Sequence, residues 1–257
     1  MRAILGLCGF ALCTAAVGAE DLLATRSGWE VGGQLARYHY EEPDIMWLEG
    51  DRIGVTGAYT LANEKRLFTR IEGRWSYGNL EYQGSGTLQD VPDHIVELRV
   101  LAGRDYRTGK VVWSPYVGGG FRYLYNDLRG VSSTGQHGYR RESAYFYIPL
   151  GVALRMPLGA DWVLAPQVEY NGFVRGMQRS YLADTGITGL YDVTNYQRDG
   201  HGYRAQLMIE GKRWSFGVWT NYWDVEDSDV QSIGAGLAGM EPANWTRETG
   251  VELRYRF

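Results

Sequence analysis

The chain has 257 residues, a formal net charge of −4 and only four histidines. A mildly acidic chain lacks the basic surface that nucleic-acid binding needs, so no nucleic-acid partner is expected. Glycine and tyrosine are abundant, with 35 and 19 residues, whereas proline contributes 7. This composition, with its frequent alternation of apolar and polar residues, predicts an all-β protein.

Residues 1–19 have the pattern of a secretory signal peptide. Arg2 precedes an apolar run that ends in small residues, and we expect cleavage after Ala19. An uncleaved membrane anchor is the alternative, but the apolar run is short for a transmembrane helix. Both cysteines of the chain lie in this segment. The mature protein, residues 20–257, is therefore expected to be one domain without disulfides.

Ten segments of the mature chain alternate apolar and polar side chains, as strands with two different faces do. Several run for about 12 to 17 residues, which suits a tilted crossing of a bilayer better than a strand of a β-sandwich. Aromatic residues stand near the ends of many apolar stripes, as in the two aromatic girdles of membrane barrels. The apolar faces are therefore expected to contact lipid.

Short and long connections alternate between these segments. An even number of strands with short turns at one end and long loops at the other is typical of outer-membrane proteins. The sequence thus predicts a ten-stranded antiparallel transmembrane β-barrel with five extracellular loops. Short connections are expected at residues 61–65, 107–110, 158–161 and 211–213, and long ones at residues 41–51, 84–92, 127–138, 178–199 and 226–244.

The faces opposite the apolar ones carry many charges. In a barrel of ten strands, long arginine and glutamate side chains can fill the interior and compensate one another. We therefore expect a narrow, charge-filled lumen and not a wide diffusion pore. The predicted inward charges are Glu30, Arg52, Arg70, Glu72, Arg74, Glu97, Arg99, Arg122, Arg141, Arg155, Glu169, Arg204, Glu210, Glu252, Arg254 and Arg256.

The last strand carries an outward stripe that ends the chain: Val251, Leu253, Tyr255 and Phe257. This stripe resembles the signal by which bacterial outer-membrane barrels are recognised by the barrel assembly machinery. The resemblance implies that machinery as a partner and the bacterial outer membrane as the location.

The ten-strand plan with long outer loops also resembles the omptin family of surface proteases, and "YNGFVRG" and "GHGYRAQLMIEGK" stand at comparable strand ends. That family uses two aspartates spaced by one residue on the third strand, facing a similarly spaced Asp and His after the seventh. Here the first position carries Glu81 and Gln83, and the second contains no histidine. Asp199 and His201 have the mutual spacing but stand at the start of the eighth strand. The chain therefore lacks the matched catalytic set.

Glu81, Asp199 and His201 remain the candidate catalytic residues. If Glu81 lay across the lumen from the other two, an imidazole and two carboxylates could activate a water molecule. The alternative is an ordinary solvated junction between a loop and a strand. The histidines lack metal-ligand spacing, and the acidic run at residues 224–229 lacks the glycine-centred calcium-loop pattern, so neither a metal nor a cofactor is expected.

Three arginines fall on the lipid-facing side near the outer ends of their strands: Arg37, Arg140 and Arg247. Barrel closure would bring Arg37 close to Arg247. Such cations could pair with the phosphates of lipopolysaccharide, which is the expected lipid partner. Extension of the side chains to the polar interface explains the same positions equally well.

Three functions follow as hypotheses. The first is a non-enzymatic surface protein that binds or adheres through its outer loops. The second is an omptin-like endopeptidase or another surface hydrolase, and the third is a channel for small solutes. Loop recognition has no periodicity, so the sequence does not identify a ligand or substrate.

Overall fold

The computed structural model describes residues 22–257, which form a closed antiparallel barrel of ten strands. The predicted signal peptide at residues 1–19 lies outside the described residues. The barrel strands are β1 (Gly28–Glu42), β2 (Met46–Ala62), β3 (Leu67–Gly84), β4 (Gly86–Arg104), β5 (Val111–Asp127), β6 (Arg140–Pro157), β7 (Val163–Ser180), β8 (two segments, Val193–Gln197 and Gly200–Glu210), β9 (Trp214–Val225) and β10 (Asn244–Arg256). Shorter elements are the strands Tyr106–Thr108, Gln231–Gly234 and Leu237–Gly239 and a 3₁₀ helix at Leu182–Thr185.

Each strand pairs with its neighbours in sequence, and β1 closes the barrel against β10. Leu35 of β1 lies opposite Ile53 of β2 on one side and opposite Val251 of β10 on the other. This register confirms the prediction that the first strand lies beside the tenth. Among residues 22–257, no helix is long and apolar enough to cross a bilayer.

The outer surface carries a continuous band of exposed apolar side chains. Leu35, Ile53 and Val251 leave 59%, 60% and 52% of their surface exposed, although they are large and aliphatic. Such a band is stable against hydrocarbon and costly in water, because about 25 cal/mol is lost for each Å² of apolar surface that stays hydrated. Aromatic pairs border it at one end, at Trp29–Tyr59, Tyr106–Trp113 and Trp214–Tyr255, and at the other end at Tyr170–Tyr203 and Tyr222–Trp245.

The two ends of the barrel differ in their connections. At the inner end, where both termini of the described chain lie, the turns at residues 63–66, 105–110, 158–162 and 211–213 are short, as predicted. At the outer end, three connections are long, at residues 128–139, 181–192 and 226–243. The predictions of long loops at residues 41–51 and 84–92 were wrong, because those strands extend into tight hairpins at residues 43–45 and at Ser85.

These strands extend past the apolar band because their two faces exchange character there. Beyond the band, the inward face is apolar and the outward face is charged. On β1 the outward residues change from apolar to charged at Arg37, while the inward residues become Tyr38 and Tyr40, which are buried. On β3 the same exchange makes Leu80 inward and Glu81 outward. Alternation persists, but the apolar stripe moves inside. We call the part of the barrel beyond this exchange the outer extension.

The outer extension has a hydrophobic core inside the barrel, of the kind found in water-soluble proteins. Its central members, Tyr38, Leu48, Leu80 and Ile95, are fully buried. Tight packing of such side chains stabilises a protein by roughly 1.5–3 kcal/mol for each one buried. The complete cluster comprises Tyr38, Tyr40, Met46, Leu48, Leu80, Val91, Ile95, Leu124, Leu128, Tyr145 and Val225, with Tyr82, Leu88 and Phe173 packed against it.

Candidate functional site

At the level of the apolar band, ion pairs fill the interior of the barrel. Glu248 lies 2.7 Å from Arg74, 3.4 Å from Arg122 and 3.9 Å from Arg52. Its carboxylate is almost completely buried, so the surrounding guanidinium groups replace its lost hydration. The alternating polar face of the strands dictates this arrangement, because each inward position in the band meets an inward position of its neighbours.

The network continues around the lumen without a wide opening. Glu97 pairs with Arg204 at 2.6 Å, and Arg99 bridges Glu72 at 2.8 Å and Glu169 at 2.7 Å. The lumen keeps two cavities of about 60 Å³ each, which have room for a few water molecules. The predicted charge-filled interior is therefore present in the geometry. Further pairs join Arg70 and Arg256 to Glu30, Arg254 to Glu252, Arg155 to Glu210 and Arg52 to Asp93.

The segment before β1 closes the inner end. Leu22 and Leu23 are buried against Val112 and Val163. Thr25 follows them and donates both its backbone N–H and its hydroxyl to the Asp105 carboxylate, at 2.6 Å and 2.8 Å. The chain before the first strand thus packs into the inner mouth. Nothing in the alternation of the strands predicts this contact.

At the outer mouth, two carboxylates share one arginine. Arg141 Nη2 donates to Glu42 at 2.6 Å and to the carboxylate of Glu241, and the Tyr40 hydroxyl contacts both acids at 2.7 Å and 3.1 Å. We call these four residues the outer latch. Burial raises the pKa of the Glu241 carboxyl to about 7, and the Glu42 charge adds to this rise while Arg141 opposes it.

The outer latch attaches a loop to the barrel. Glu241 belongs to the connection between β9 and β10, and its backbone N–H donates to the Ser228 hydroxyl at 2.7 Å. The Ser228 backbone N–H in turn donates to the Glu241 carbonyl at 2.9 Å. Arg141 was predicted to face inward, and it does. Glu42 and Glu241 were missed as partners, because both fell in segments that were predicted to be loops.

Two long connections join to form one structure over the mouth. We call residues 181–199 and 226–243 together the outer cap. The Tyr191 N–H donates to the Ile233 carbonyl at 3.2 Å, and the Tyr191 hydroxyl donates to Ser232 at 2.6 Å. The 3₁₀ helix and the upper segment of β8 lie in the first half of this cap. These bonds hold loops of distant sequence in one fixed arrangement.

The acidic run of the second loop supports the outer cap through backbone groups. Asp229 accepts from the Tyr196 N–H at 2.6 Å, and Asp227 accepts from the Ala243 N–H at 2.5 Å. The backbone hydrogen bond from Tyr196 is the main cause of the lowered pKa of Asp229. These carboxylates therefore serve as caps for turns. Among residues 22–257, no group of three or more acidic, histidine or cysteine side chains could hold a metal ion.

The candidate catalytic residues do not converge. Glu81 is exposed on the outward face of β3, opposite Glu49 of β2, so the expectation that it faces the lumen was wrong. His201 shares the outward face of β8 with Tyr203, and their rings lie 5.3 Å apart. Because four strands separate β3 from β8 in each direction around the barrel, Glu81 lies on the opposite wall from Asp199 and His201. The three residues form no common water site.

The three outward arginines lie in different surroundings. Arg37 contacts Glu49 and lies 3.2 Å from Asp51, and Arg140 binds Asp184 through two nitrogens at 2.7 Å and 2.9 Å. Arg247 has no ion-pair or hydrogen-bond partner within the described part of the chain. Its strand position is opposite His39, two residues along β1 from Arg37. The closure of the barrel thus brings Arg37 and Arg247 near each other, as expected, and leaves Arg140 elsewhere.

The terminal stripe faces outward as predicted. Val251, Leu253 and Phe257 are exposed on the band, and Tyr255 stacks edge-on against Trp214 with 4.9 Å between the ring centres. The Phe257 N–H donates to the Trp29 carbonyl at 3.0 Å, so the last residue still pairs with the first strand. This geometry places the stripe at the inner border of the apolar band.

No protein-family model and no curated protein matches the chain. Among solved structures, the outer membrane protease OmpT from Escherichia coli aligns with a TM-score of 0.60 at 11% identity, over 93% of this chain and 100% of that chain. The translocator domain of the autotransporter NalP from Neisseria meningitidis aligns at 0.43, with 12% identity over 93% and 92%. Ail, the attachment invasion locus protein of Yersinia pestis, aligns at 0.34, with 10% identity over 90% and 100%. The chain thus has the fold of a bacterial outer-membrane β-barrel, with an omptin-like layout.

Proposed function

We propose that this chain is a surface-binding protein of the outer membrane, with a closed barrel as its support and the outer end as its contact surface. The observation that carries the proposal is the filling of the interior, whose cavities have room for a few water molecules each. Ion pairs occupy the band, a hydrophobic core occupies the outer extension, and residues 22–25 occupy the inner mouth. A filled barrel offers a rigid platform and no wide path for solutes.

The outer end has the features of a contact surface. Its loops are fixed by hydrogen bonds between them, so binding would cost little ordering entropy. Large apolar side chains nevertheless stay exposed there, which is unfavourable without a partner. These are Ile45, Val131, Ile187, Tyr191, Val230, Leu237 and Met240. An aromatic residue such as Tyr191 is typical of the centre of a binding surface.

Adhesion of whole cells tests this function. Cells that display the chain are expected to stay attached to a layer of cultured epithelial cells under flow, whereas cells without it detach. Replacing Ile187, Tyr191 and Leu237 together with serine should remove most of the attachment, because these side chains form the apolar tips of the outer cap. The control exchanges Glu64 and Lys65 for serine at the inner end, where no contact is expected.

Planar-bilayer recordings with the purified chain complete the test. The proposal predicts no stable conductance steps, since the lumen is closed. Equal attachment of cells with and without the chain, or regular conductance steps from the intact barrel, would contradict it. Cleavage of a peptide that disappears on the His201→Ala replacement would favour the hydrolase hypothesis instead.

We also propose that lipopolysaccharide contacts the barrel at Arg247. Of the three outward arginines, Arg247 is the one whose side chain has no partner among the described residues, whereas carboxylates occupy Arg37 and Arg140. A phosphate would satisfy it through charge-assisted hydrogen bonds. Added lipopolysaccharide should raise the melting temperature of the detergent-solubilised chain, and Arg247→Ala should reduce that rise. An unchanged rise in Arg247→Ala would contradict the assignment; Arg140→Ala is the matched control.

The terminal stripe is proposed as the contact for the barrel assembly machinery. Removal of Phe257 should slow insertion in cells, because the aromatic end of the outward stripe is lost. The fraction of folded, heat-modifiable chain after a pulse of synthesis measures this effect. The same removal should leave refolding of the purified chain in detergent largely unchanged. Slower refolding there would indicate a structural role.

A further inference from the structure

A further cavity opens at the outer end, beside the outer latch. It has a volume of about 90 Å³ and lies between the β3–β4 hairpin and the connection from β5 to β6. Apolar and aromatic side chains from both elements line it, including Tyr82, Leu88, Leu128 and Tyr139, with Met46 beside them. The mixed apolar and polar lining is typical of small-molecule pockets, and the small volume admits a chemical group of a few atoms and not a whole sugar ring.

The walls of this pocket are held in place by the protein. The Ser133 N–H donates to the Thr87 carbonyl at 3.0 Å, and the Thr87 N–H donates to the Ser133 hydroxyl at 3.0 Å. Ser132 and Thr134 both donate to the carbonyl of Ser85 at the tip of the hairpin. The pocket is therefore part of the folded structure, and a ligand would not need to order these loops.

A buried guanidinium group at the pocket has an incomplete set of acceptors. Arg141 is 4% exposed and lines the cavity. Its Nη2 is occupied by the outer latch, but its Nη1 meets only the thioether sulfur of Met46, at 3.3 Å. A thioether is a weak acceptor, so a carbonyl oxygen in the pocket would bind this N–H more strongly.

The charge around Arg141 excludes a simple anion site. Glu42 and Glu241 already face the guanidinium, so the group has no surplus positive charge for a carboxylate or phosphate. The pocket has further hydrogen-bonding groups without partners in the described residues, namely the Tyr139 hydroxyl and the side chains of Gln136 and His137. Rings such as Tyr82 and Tyr139 offer flat apolar faces.

We propose that this pocket binds the acetamido group of a neutral sugar, whose ring stays at the mouth of the pocket. Its acetyl carbonyl would accept from Arg141 Nη1, its methyl group would contact Leu88 and Leu128, and its hydroxyls would pair with Tyr139 and Gln136. The proposal rests on the surface-binding function proposed above and names a ligand class for it. Because the pocket opens at the outer end of the barrel, a sugar on another cell or on a glycoprotein can reach it.

Titration of the purified full chain with N-acetylglucosamine tests the site, with tyrosine and tryptophan fluorescence as the readout. Saturable binding is expected, and glucose, which lacks the acetamido group, should bind at least about tenfold more weakly. Glucuronate should bind no better than glucose. Equal binding of glucose, tighter binding of glucuronate or the lack of any saturable signal would overturn the proposal.

Two variants locate the site without altering the outer latch. Tyr139→Phe removes one hydroxyl and should weaken N-acetylglucosamine binding by about fivefold. Ser85→Trp places a large ring at the exposed tip beside the pocket and should abolish binding, whereas Thr108→Trp at the inner end should leave it unchanged. Unaltered binding by Ser85→Trp, with a native melting temperature, would overturn the location.

The cell-adhesion assay separates the two proposals. If the serine variant of the outer cap loses attachment but the chain does not bind N-acetylglucosamine, the surface-binding function stands and the sugar pocket is rejected. If the sugar binds but cells with and without the chain attach equally, the pocket stands as a small-molecule site and the adhesion function is rejected.

Discussion

The apolar band and the outer extension are built from the same strands but are surrounded by different solvents, lipid around the band and water around the extension. In the band the apolar residues face outward, as at Leu35, and the charges face inward, as at Glu97. In the outer extension the charges face outward, as at Glu41, and the apolar residues face inward, as at Leu80. The backbone is continuous through the exchange, so the change of solvent alone accounts for it. A single strand therefore follows the pattern of a membrane protein in the band and the pattern of a water-soluble protein in the outer extension.

The largest expected effect comes from removing a buried charge inside the barrel, at the outer border of the band. Glu248→Gln leaves Arg52, Arg74 and Arg122 short of one buried anion and should lower the free energy of unfolding by about 3–5 kcal/mol. Glu41→Gln, the same change on the outside of the outer extension, should cost less than about 1 kcal/mol. Urea unfolding of both variants in lipid vesicles measures the contrast. Similar costs at the two positions would contradict the comparison.

Truncation of leucine reverses the ranking of the two regions, because the larger cost is expected in the outer extension. Leu80→Ala should lower the free energy of unfolding by about 2–5 kcal/mol, because it leaves a cavity in a packed core. Leu35→Ala should cost less, since lipid chains move into the space that the side chain leaves. The same urea experiment reports both values. A larger cost for Leu35→Ala would show that the outer extension lacks a tightly packed core.

The outer latch should make the outer cap sensitive to pH. Glu241 has a pKa raised to about 7 in the folded protein and would return to about 4.5 when the loop detaches. The docked loop therefore binds more protons between pH 4.5 and 7, and its docking weakens as pH rises through this window, by about 3 kcal/mol at most. Amide hydrogen exchange of residues 226–243, corrected for intrinsic rates, should become faster relative to the rest of the barrel.

Glu241→Gln provides the control for the latch. An amide keeps the shape of the neutral acid but does not titrate, so the relative exchange of residues 226–243 should no longer change between pH 5 and 8. A pH dependence that persists in this variant would assign the effect to other groups. Asp184 and Asp229 affect stability in the opposite sense and at lower pH: hydrogen bonds lower their pKa values, so their stabilising contribution is lost as pH falls.

The smallest effect is expected at the surface of the outer extension. Arg37 contacts Glu49 and Asp51, but all three side chains are substantially exposed to water. Arg37→Ala should therefore change the free energy of unfolding by less than about 1 kcal/mol. High salt should reduce even this difference. A cost comparable with that of Glu248→Gln would mean that Arg37 is not exposed to solvent.

Sequence periodicity predicted the band well because one physical rule governs it. Lipid outside and charge inside impose alternation on every strand, so the outward positions of Leu35, Ile53 and Val251 followed directly. The outer extension was missed because apolar alternation was equated with the lipid-facing side. Tyr38, Tyr40, Leu48 and Leu80 continue the alternation with the opposite phase, and this signal was present in the sequence.

The candidate site was predicted less well, since it depends on contacts between distant segments. Arg141 was correctly expected to face inward, but its partners Glu42 and Glu241 are separated from it by about a hundred residues along the chain. Loop backbone geometry decides such contacts, and no period of two or of 3.6 encodes it. Glu81 and His201 failed for a different reason: the alternation of the band already places them outward, with Tyr77 and Tyr203, and the catalytic hypothesis did not apply it.

Measuring how deeply two positions of β1 lie in the membrane tests most directly where the apolar band ends and the outer extension begins. Residues 20–257 contain no cysteine, so a single cysteine at position 35 or 41 carries one fluorescent label. In vesicles, the label at Leu35 should be quenched by brominated lipid chains and protected from iodide, while the label at Glu41 should show the reverse. Quenching of both labels by iodide, or of both by brominated lipid, would contradict the placement of the membrane boundary between these residues.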